Sequence, residues 1–277
     1  MPGDYVVGMD VGTSGVRAVA VDARGEMLAS AEEPLAAPRA PQPGWSEQDA
    51  EAWSRALAAA ARRCLEALPH RARAPAAVCV DSTSGTVVAA DAGGRALRPA
   101  VMYNDTRAAA EADELNDVGA ELTRRLGYRF NASYGLPKAL WLLRHEGSRC
   151  AGARFMSPAD FLTLGLCGAC VSEETNALKM GYDLIERRWP EWLKDVGLSP
   201  ERLPRVGRSG EIVGAVTPLA AKATGLPAGT PVAAGPTDGV AGFYASGAAT
   251  PGEAATTLGT TLVVKSVSRD LVRDPLG

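Results

Sequence analysis

Only two histidines occur in 277 residues, and no segment concentrates lysine or arginine. With a net charge of −3, nucleic acid and anionic membrane are poor partners for this chain. No run approaches the roughly 20 apolar residues that a membrane helix needs. The opening MPGDYVV lacks the basic start and long apolar stretch of a secretory signal, so a reducing cytoplasm is the expected compartment. Five cysteines, an odd number at irregular spacing, argue against a disulfide framework. Cys167 and Cys170 form a lone C-x-x-C. A zinc site needs four ligands, and none of Cys64, Cys79, Cys150, His70 and His145 stands at ligand spacing. That pair sits in a glycine-containing turn after an apolar helical run rather than opening a helix, which counts against redox use. No G-x-G-x-x-G follows a strand and no G-x-x-x-x-G-K-[ST] occurs, so Rossmann and Walker-A sites are unsupported.

The hydrophobic share of 46% against 22% charged residues suits a globule with a sizeable core, in one large or two small domains. YVVGMDV, VRAVAVD and MLASA read as three short strands separated by the turns GTSG and ARGE. A proline-rich loop follows. Ser46 then opens SEQDAEAWSRALAAAARRCLEAL with an S-x-x-D capping pattern, and Trp53, Leu57, Ala61, Cys64, Leu65 and Leu68 share one helical face. AAVCVDS is a buried strand. Helices are expected over residues 105–117 and 137–146 and behind Ser157, and PVAAGPTDGVAGFYASG reads as strand, turn and helix. A meander followed by alternating strands and helices predicts an α/β fold with a sheet of mixed direction.

The opening GMDVGTSGVRAVAV has a second, shorter echo in TTLGTTLVVKSVS. A glycine-rich turn can aim several backbone N–H groups into one concavity that takes a phosphate oxygen, and Thr or Ser hydroxyls add neutral donors. Two such hairpins facing across a cleft would hold successive nucleotide phosphates. Asp10, at the end of the first strand, would hold Mg2+ through its water shell. Each hairpin also reads as an ordinary turn, with Asp10 a turn-initiating residue.

Together these turns resemble the sugar kinase, heat-shock protein and actin superfamily, and more closely the FGGY family of carbohydrate kinases. The matching segments run in family order from MDVGTSGVRAVAVDARGE through QPGWSEQDAEAW, DSTSGTVVAAD, LRPAVMYNDTRA, NASYGLPKALWLL, SPADFL and ETNALKMGYD to GPTDGVAGFYASGA and LGTTL. VCVDSTSGTV, NALKMGYD and PGEAATTLGTTLVVK are most similar to the D-ribulokinase and xylulokinase-like subgroup.

The resemblance implies a ribonuclease H-like lobe, with a mixed sheet flanked by helices, and transfer of the ATP γ-phosphoryl group to a sugar or polyol hydroxyl. Asp238 would be the general base, its unperturbed pKa about 3.9; read alone it is a helix N-cap. Gly12, Thr13 and Ser14 match the first phosphate turn, and Gly259, Thr260 and Thr261 the second. Ser82, Thr83 and Ser84 match the acceptor segment, where glycerol kinases carry Arg-Glu and xylulokinases Met-His. Tyr103 offers an aromatic face in place of the usual tryptophan, and Asn104 a sugar contact. Arg17 either approaches the phosphate or is a solvated strand residue, Asp105 caps the following helix, and Tyr134 is a weaker sugar candidate. By the same resemblance, residues 1–247 form the sugar-binding lobe. Residues 248–277 are the first hairpin of a nucleotide-binding lobe otherwise missing from this chain. The hairpin would be disordered or would pair with another chain, a homodimer partner included. Ketopentose phosphorylation (D-ribulose or D-xylulose) is therefore the expected activity of the parent, weak or absent in this chain alone. The competing readings are a non-catalytic sugar-binding or regulatory lobe and an actin-like ATPase.

Overall fold

Residue alternation builds the sheet on which everything else rests. The structure, a computed structural model, describes residues 5–69, 74–258 and 262–272. In Tyr5–Val11 (β1), Tyr5, Val7, Met9 and Val11 are buried while Val6 and Gly8 face outward. β1 pairs antiparallel with Gly15–Asp22 (β2), which pairs antiparallel with Met27–Pro34 (β3). On its other side β1 runs parallel to Pro75–Ser82, and that strand runs parallel to Pro231–Ala233. Ile212–Ala215 closes the six-stranded sheet as an antiparallel edge. Three meander strands followed by two parallel ones give the mixed sheet of a ribonuclease H-like lobe.

Helix Ala50–Glu66 (α1) covers the inward face with Trp53, Ala56, Leu57, Ala60, Ala61 and Cys64. Helices Pro158–Cys167 and Pro218–Thr224 contribute to the same core. Ser157 caps Pro158–Cys167 as expected, in a reciprocal capping box with Asp160. A second apolar cluster, built around Leu115, Leu136, Leu140, Phe155 and Leu193, supports the segment between residues 87 and 203.

Two expectations need correction. The N-cap of α1 is Asp49, not Ser46. The Ser46 N–H donates instead to the Asp105 carboxylate at 2.6 Å, and Glu47–Gln48 pairs as a short strand with Ala100–Val101. A long-range partner thus outcompetes the local cap. Asp105 in turn caps no helix: it accepts from Ser46 and from the backbone and guanidinium of Arg107, and the helix begins only at Ala109.

Strands Ala254–Leu258 and Leu262–Ser266 form an antiparallel hairpin. Among the described residues no third strand joins it. Lys265 reaches from it to the carbonyl of Gly239. All five cysteines are free thiols, so Cys167 and Cys170 form no disulfide.

Candidate functional site

The parallel pairing of β1 with Pro75–Ser82 sets Asp10 level with Asp81. Because side chains alternate along a strand, both point to the face opposite the α1 core, and both are half-buried. Ser82 therefore points the other way. It is fully buried, and its Oγ accepts from the Ala159 N–H at 2.9 Å. The expectation that Ser82 touches substrate is corrected: its hydroxyl is committed to a helix start.

Asp10, Gly12, Thr13, Thr83, Ser84, Tyr103 and Asp238 line one cleft of about 450 Å3. Asp238 enters from the first position of helix Asp238–Ala245, whose N-cap is Thr237. The Gly239 N–H donates to its carboxylate at 2.6 Å. Thr83 Oγ1 lies 3.0 Å from Thr86 Oγ1, which accepts from the Tyr103 N–H at 3.0 Å. Hydroxyls thus tie the segment that follows Ser82 to the Tyr103 turn. Asn104 is exposed and does not line the cleft, and neither does the exposed Ser14.

The first glycine-threonine turn is held from behind. Gly12 N–H donates to the Gly15 carbonyl, the Ser14 carbonyl accepts from Leu35, and the Thr13 carbonyl accepts from the buried Gln48 amide at 2.9 Å. Gln48 is itself locked by Trp53 Nε1. With both carbonyls turned inward, the N–H groups of Thr13 and Ser14 have no partner among the described residues. That is the donor array an anion needs. The second turn, Gly259, Thr260 and Thr261, lies outside the described residues. Arg17 pairs with Glu32 across the strands at 3.2 Å, the solvated-strand alternative. Tyr134 packs in an aromatic group with Tyr128 and Phe130, away from the cleft.

The electrostatics are dominated by three carboxylates. Asp81 is not among the residues that the sequence motifs single out. Its signal was present: VCVDS ends in an acid at the same depth as GMDV. Desolvation, then the charge and hydrogen bond of Asp10, then the charge of Asp238, push the Asp81 carboxyl up to about 7. One of its oxygens is buried without a hydrogen-bond partner. Asp238 departs from its expected ordinary value. Desolvation raises it and the Asp10 charge adds, while the Gly239 and Ser84 N–H groups and Lys265 oppose. Among the described residues no group of three His, Cys, Asp or Glu side chains is arranged to hold a metal directly. A magnesium ion there would be held through water and phosphate, which Asp10 and the unpaired Asp81 oxygen suit.

A pH dependence follows from Asp81. Its folded-state pKa lies above the unfolded value of about 3.9. The native state therefore keeps a proton that the unfolded chain has already lost, and stability falls as pH rises from about 4 to about 7. Asp160, also raised to about 7 by burial, adds to the same slope. Urea midpoints at pH 5 and pH 8 should show Asp81→Asn flattening this decline and gaining most at pH 8. An unchanged difference between the two midpoints would contradict it.

The model of the N-terminal domain of the FGGY family of carbohydrate kinases matches residues 5–244. The chain is 33% identical over 274 residues to a xylulose kinase of Escherichia coli, covering 97% of this chain and 55% of that protein. It is 35% identical over 285 residues to a xylulose kinase of Streptomyces coelicolor, covering 99% and 56%. The crystal structure of xylulose kinase from Rhodospirillum rubrum superposes with a TM-score of 0.91 at 28% identity, over 98% of this chain and 56% of that one. The chain thus spans about half the length of the curated relatives it matches. Sequence, topology and these likenesses agree that the chain belongs to the FGGY family of carbohydrate kinases.

Proposed function

We propose that the cleft holds a ketopentose or a related polyol, with D-xylulose and D-ribulose favoured. The protein carrying this lobe would transfer the ATP γ-phosphoryl group to one of its hydroxyls. The observation that carries this reading is the joint lining of one cleft by Asp10, Thr13, Thr83, Ser84, Tyr103 and Asp238. Its two walls differ in chemistry. Thr83, Ser84 and Tyr103 offer neutral hydroxyls and an aromatic face, which suit a polyhydroxylated, uncharged acceptor. The small Thr83–Ser84 pair leaves room and makes only neutral hydrogen bonds.

Asp238 is the general base: its carboxylate accepts the hydroxyl proton as the sugar oxygen attacks phosphorus, and the Gly239 N–H donates to it. The free N–H groups of Thr13 and Ser14 bind phosphate oxygens, and Asp10 orients the magnesium hydration shell. Bound Mg2+ supplies charge neutralisation along the phosphates. A further phosphate-binding role is assigned to Gly259, Thr260 and Thr261 on the likeness of their sequence to the first turn. Residues 1–247 form the sugar-binding lobe, and residues 248–277 belong to a nucleotide-binding lobe.

Calorimetric titration of the chain with D-xylulose, D-ribulose, L-ribulose and glycerol tests the acceptor assignment. Heat with a ketopentose that weakens at least tenfold in Ser84→Ala/Tyr103→Ala is expected. No heat with any of the four would contradict it. Binding without ADP release in a protein with a complete nucleotide lobe would leave a sugar-binding lobe in place of a kinase.

A further inference from the structure

The helix Gly135–His145 carries a lysine in its first turn, and that side chain is wholly buried. This is an unfavourable place for a cation, since the N-terminal end of a helix is its positive pole. No carboxylate forms an ion pair with Lys138 among the described residues. A helical side chain leans back toward the N-terminus, and Lys138 Nζ accordingly meets three carbonyls: Gly85 at 3.0 Å, Tyr134 at 3.2 Å and Tyr103 at 3.5 Å. An ammonium has three N–H donors, so all three are used.

Those carbonyls belong to three separate segments. One lies directly after Ser84, one belongs to Tyr103 itself, and the third begins the helix. The first and third are pressed together: Gly85 has φ +80°, and a Cβ there would lie 2.1 Å from the Ser133 carbonyl oxygen. Only glycine fits that approach, and Lys138 fastens both sides of it. Desolvation pushes the Lys138 ammonium down to about 7, with the Asp105 charge opposing. A buried charge of this kind is costly, and an apolar side chain of equal length would fill the same space. What such a side chain would lose is the three-way tie.

We propose that Lys138 is a positioning residue for the acceptor wall, its buried ammonium holding Ser84 and Tyr103 in register with each other through the backbone carbonyls of Gly85, Tyr134 and Tyr103. Lys138 touches no cleft-lining side chain through a side-chain hydrogen bond, so its effect is transmitted through backbone. The consequence for sugar binding rests on the ketose reading above; the consequence for the backbone does not.

Lys138→Met keeps the length of the side chain and removes every donor, whereas Lys138→Gln keeps two. Amide hydrogen exchange on the whole chain should rise at least tenfold over residues 84–86 and 103–105 in Lys138→Met, with the Tyr5–Val11 strand unchanged. The ketopentose dissociation constant should rise at least tenfold in Lys138→Met and less in Lys138→Gln. If Lys138→Met does not fold, Lys138→Gln carries both measurements, with smaller changes of the same pattern. A lysine that merely stabilises the fold would raise exchange in Tyr5–Val11 as well. Exchange that is unaltered over 84–86 and 103–105, or that rises uniformly, overturns the proposal. So does an unchanged sugar affinity in a variant whose exchange has changed locally. A wild-type chain that binds none of the four acceptors would fail the ketose reading instead, and the exchange pattern would then decide the role of Lys138 alone.

Discussion

Asp238→Asn should lower ketopentose phosphorylation by roughly 10²- to 10⁴-fold, the usual contribution of a positioned general base, with the sugar KM shifting only a few-fold. Asparagine keeps the shape of the side chain and can still accept from the Gly239 N–H, but it cannot take the proton of an attacking hydroxyl. The loss should therefore fall on kcat, which separates proton transfer from binding. The pH profile supplies a second mark. Because desolvation and the Asp10 charge raise the Asp238 pKa, the acidic limb of the wild-type profile should lie above the range of an ordinary carboxylate. Steady-state ADP release, with a complete nucleotide-binding lobe present, measures both. A variant that keeps more than about a tenth of the wild-type kcat would exclude Asp238 as the base, since it falls short of even the smaller expected loss.

Gly235→Ala should destabilise the lobe by about 3 kcal/mol, at the upper end for overpacking. Its Cβ would lie 1.9 Å from the Val80 carbonyl oxygen, 2.7 Å from the Val80 carbonyl carbon and 2.9 Å from Cys79 Sγ. Two of the three are backbone atoms of the Pro75–Ser82 strand and cannot swing away. The segment leading to Asp238 would have to lift off that strand. It would strain the Asn176 side-chain bond to the Gly235 carbonyl and the bridge between Ser82 and Thr237. The cost is thus coupled to function, because the displaced segment carries the proposed base. Urea unfolding together with ketopentose titration should show stability and affinity falling together. A loss below about 1 kcal/mol would mean that the close approach is easily relieved.

Local patterns were the most legible part of the molecule. The three-strand meander, the apolar face of Ala50–Glu66 and the Ser157 cap depend on neighbours in sequence, and each formed where its pattern lay. The cleft was partly legible: Asp10, Gly12, Thr13, Thr83, Ser84, Tyr103 and Asp238 come together across more than 200 residues of chain. What was not legible depended on pairing between distant segments. Ser46 lost its capping role to a bond with Asp105, 59 positions away. Ser82 was turned from the cleft by strand alternation, once the facing of Pro75–Ser82 was fixed by its neighbours. Asp81 was brought level with Asp10 by parallel register, which a single strand does not declare. The role of Lys138 has no sequence signature, because backbone carbonyls that gather around a side chain leave no mark in sequence.

A crystal structure of the lobe soaked with D-xylulose or D-ribulose tests the central claim most directly. The account predicts the sugar between Ser84, Tyr103 and Asp238, with one hydroxyl about 2.6–3.2 Å from the Asp238 carboxylate. A ketopentose ordered elsewhere on the lobe, or seated in the cleft with every hydroxyl turned away from Asp238, would contradict it.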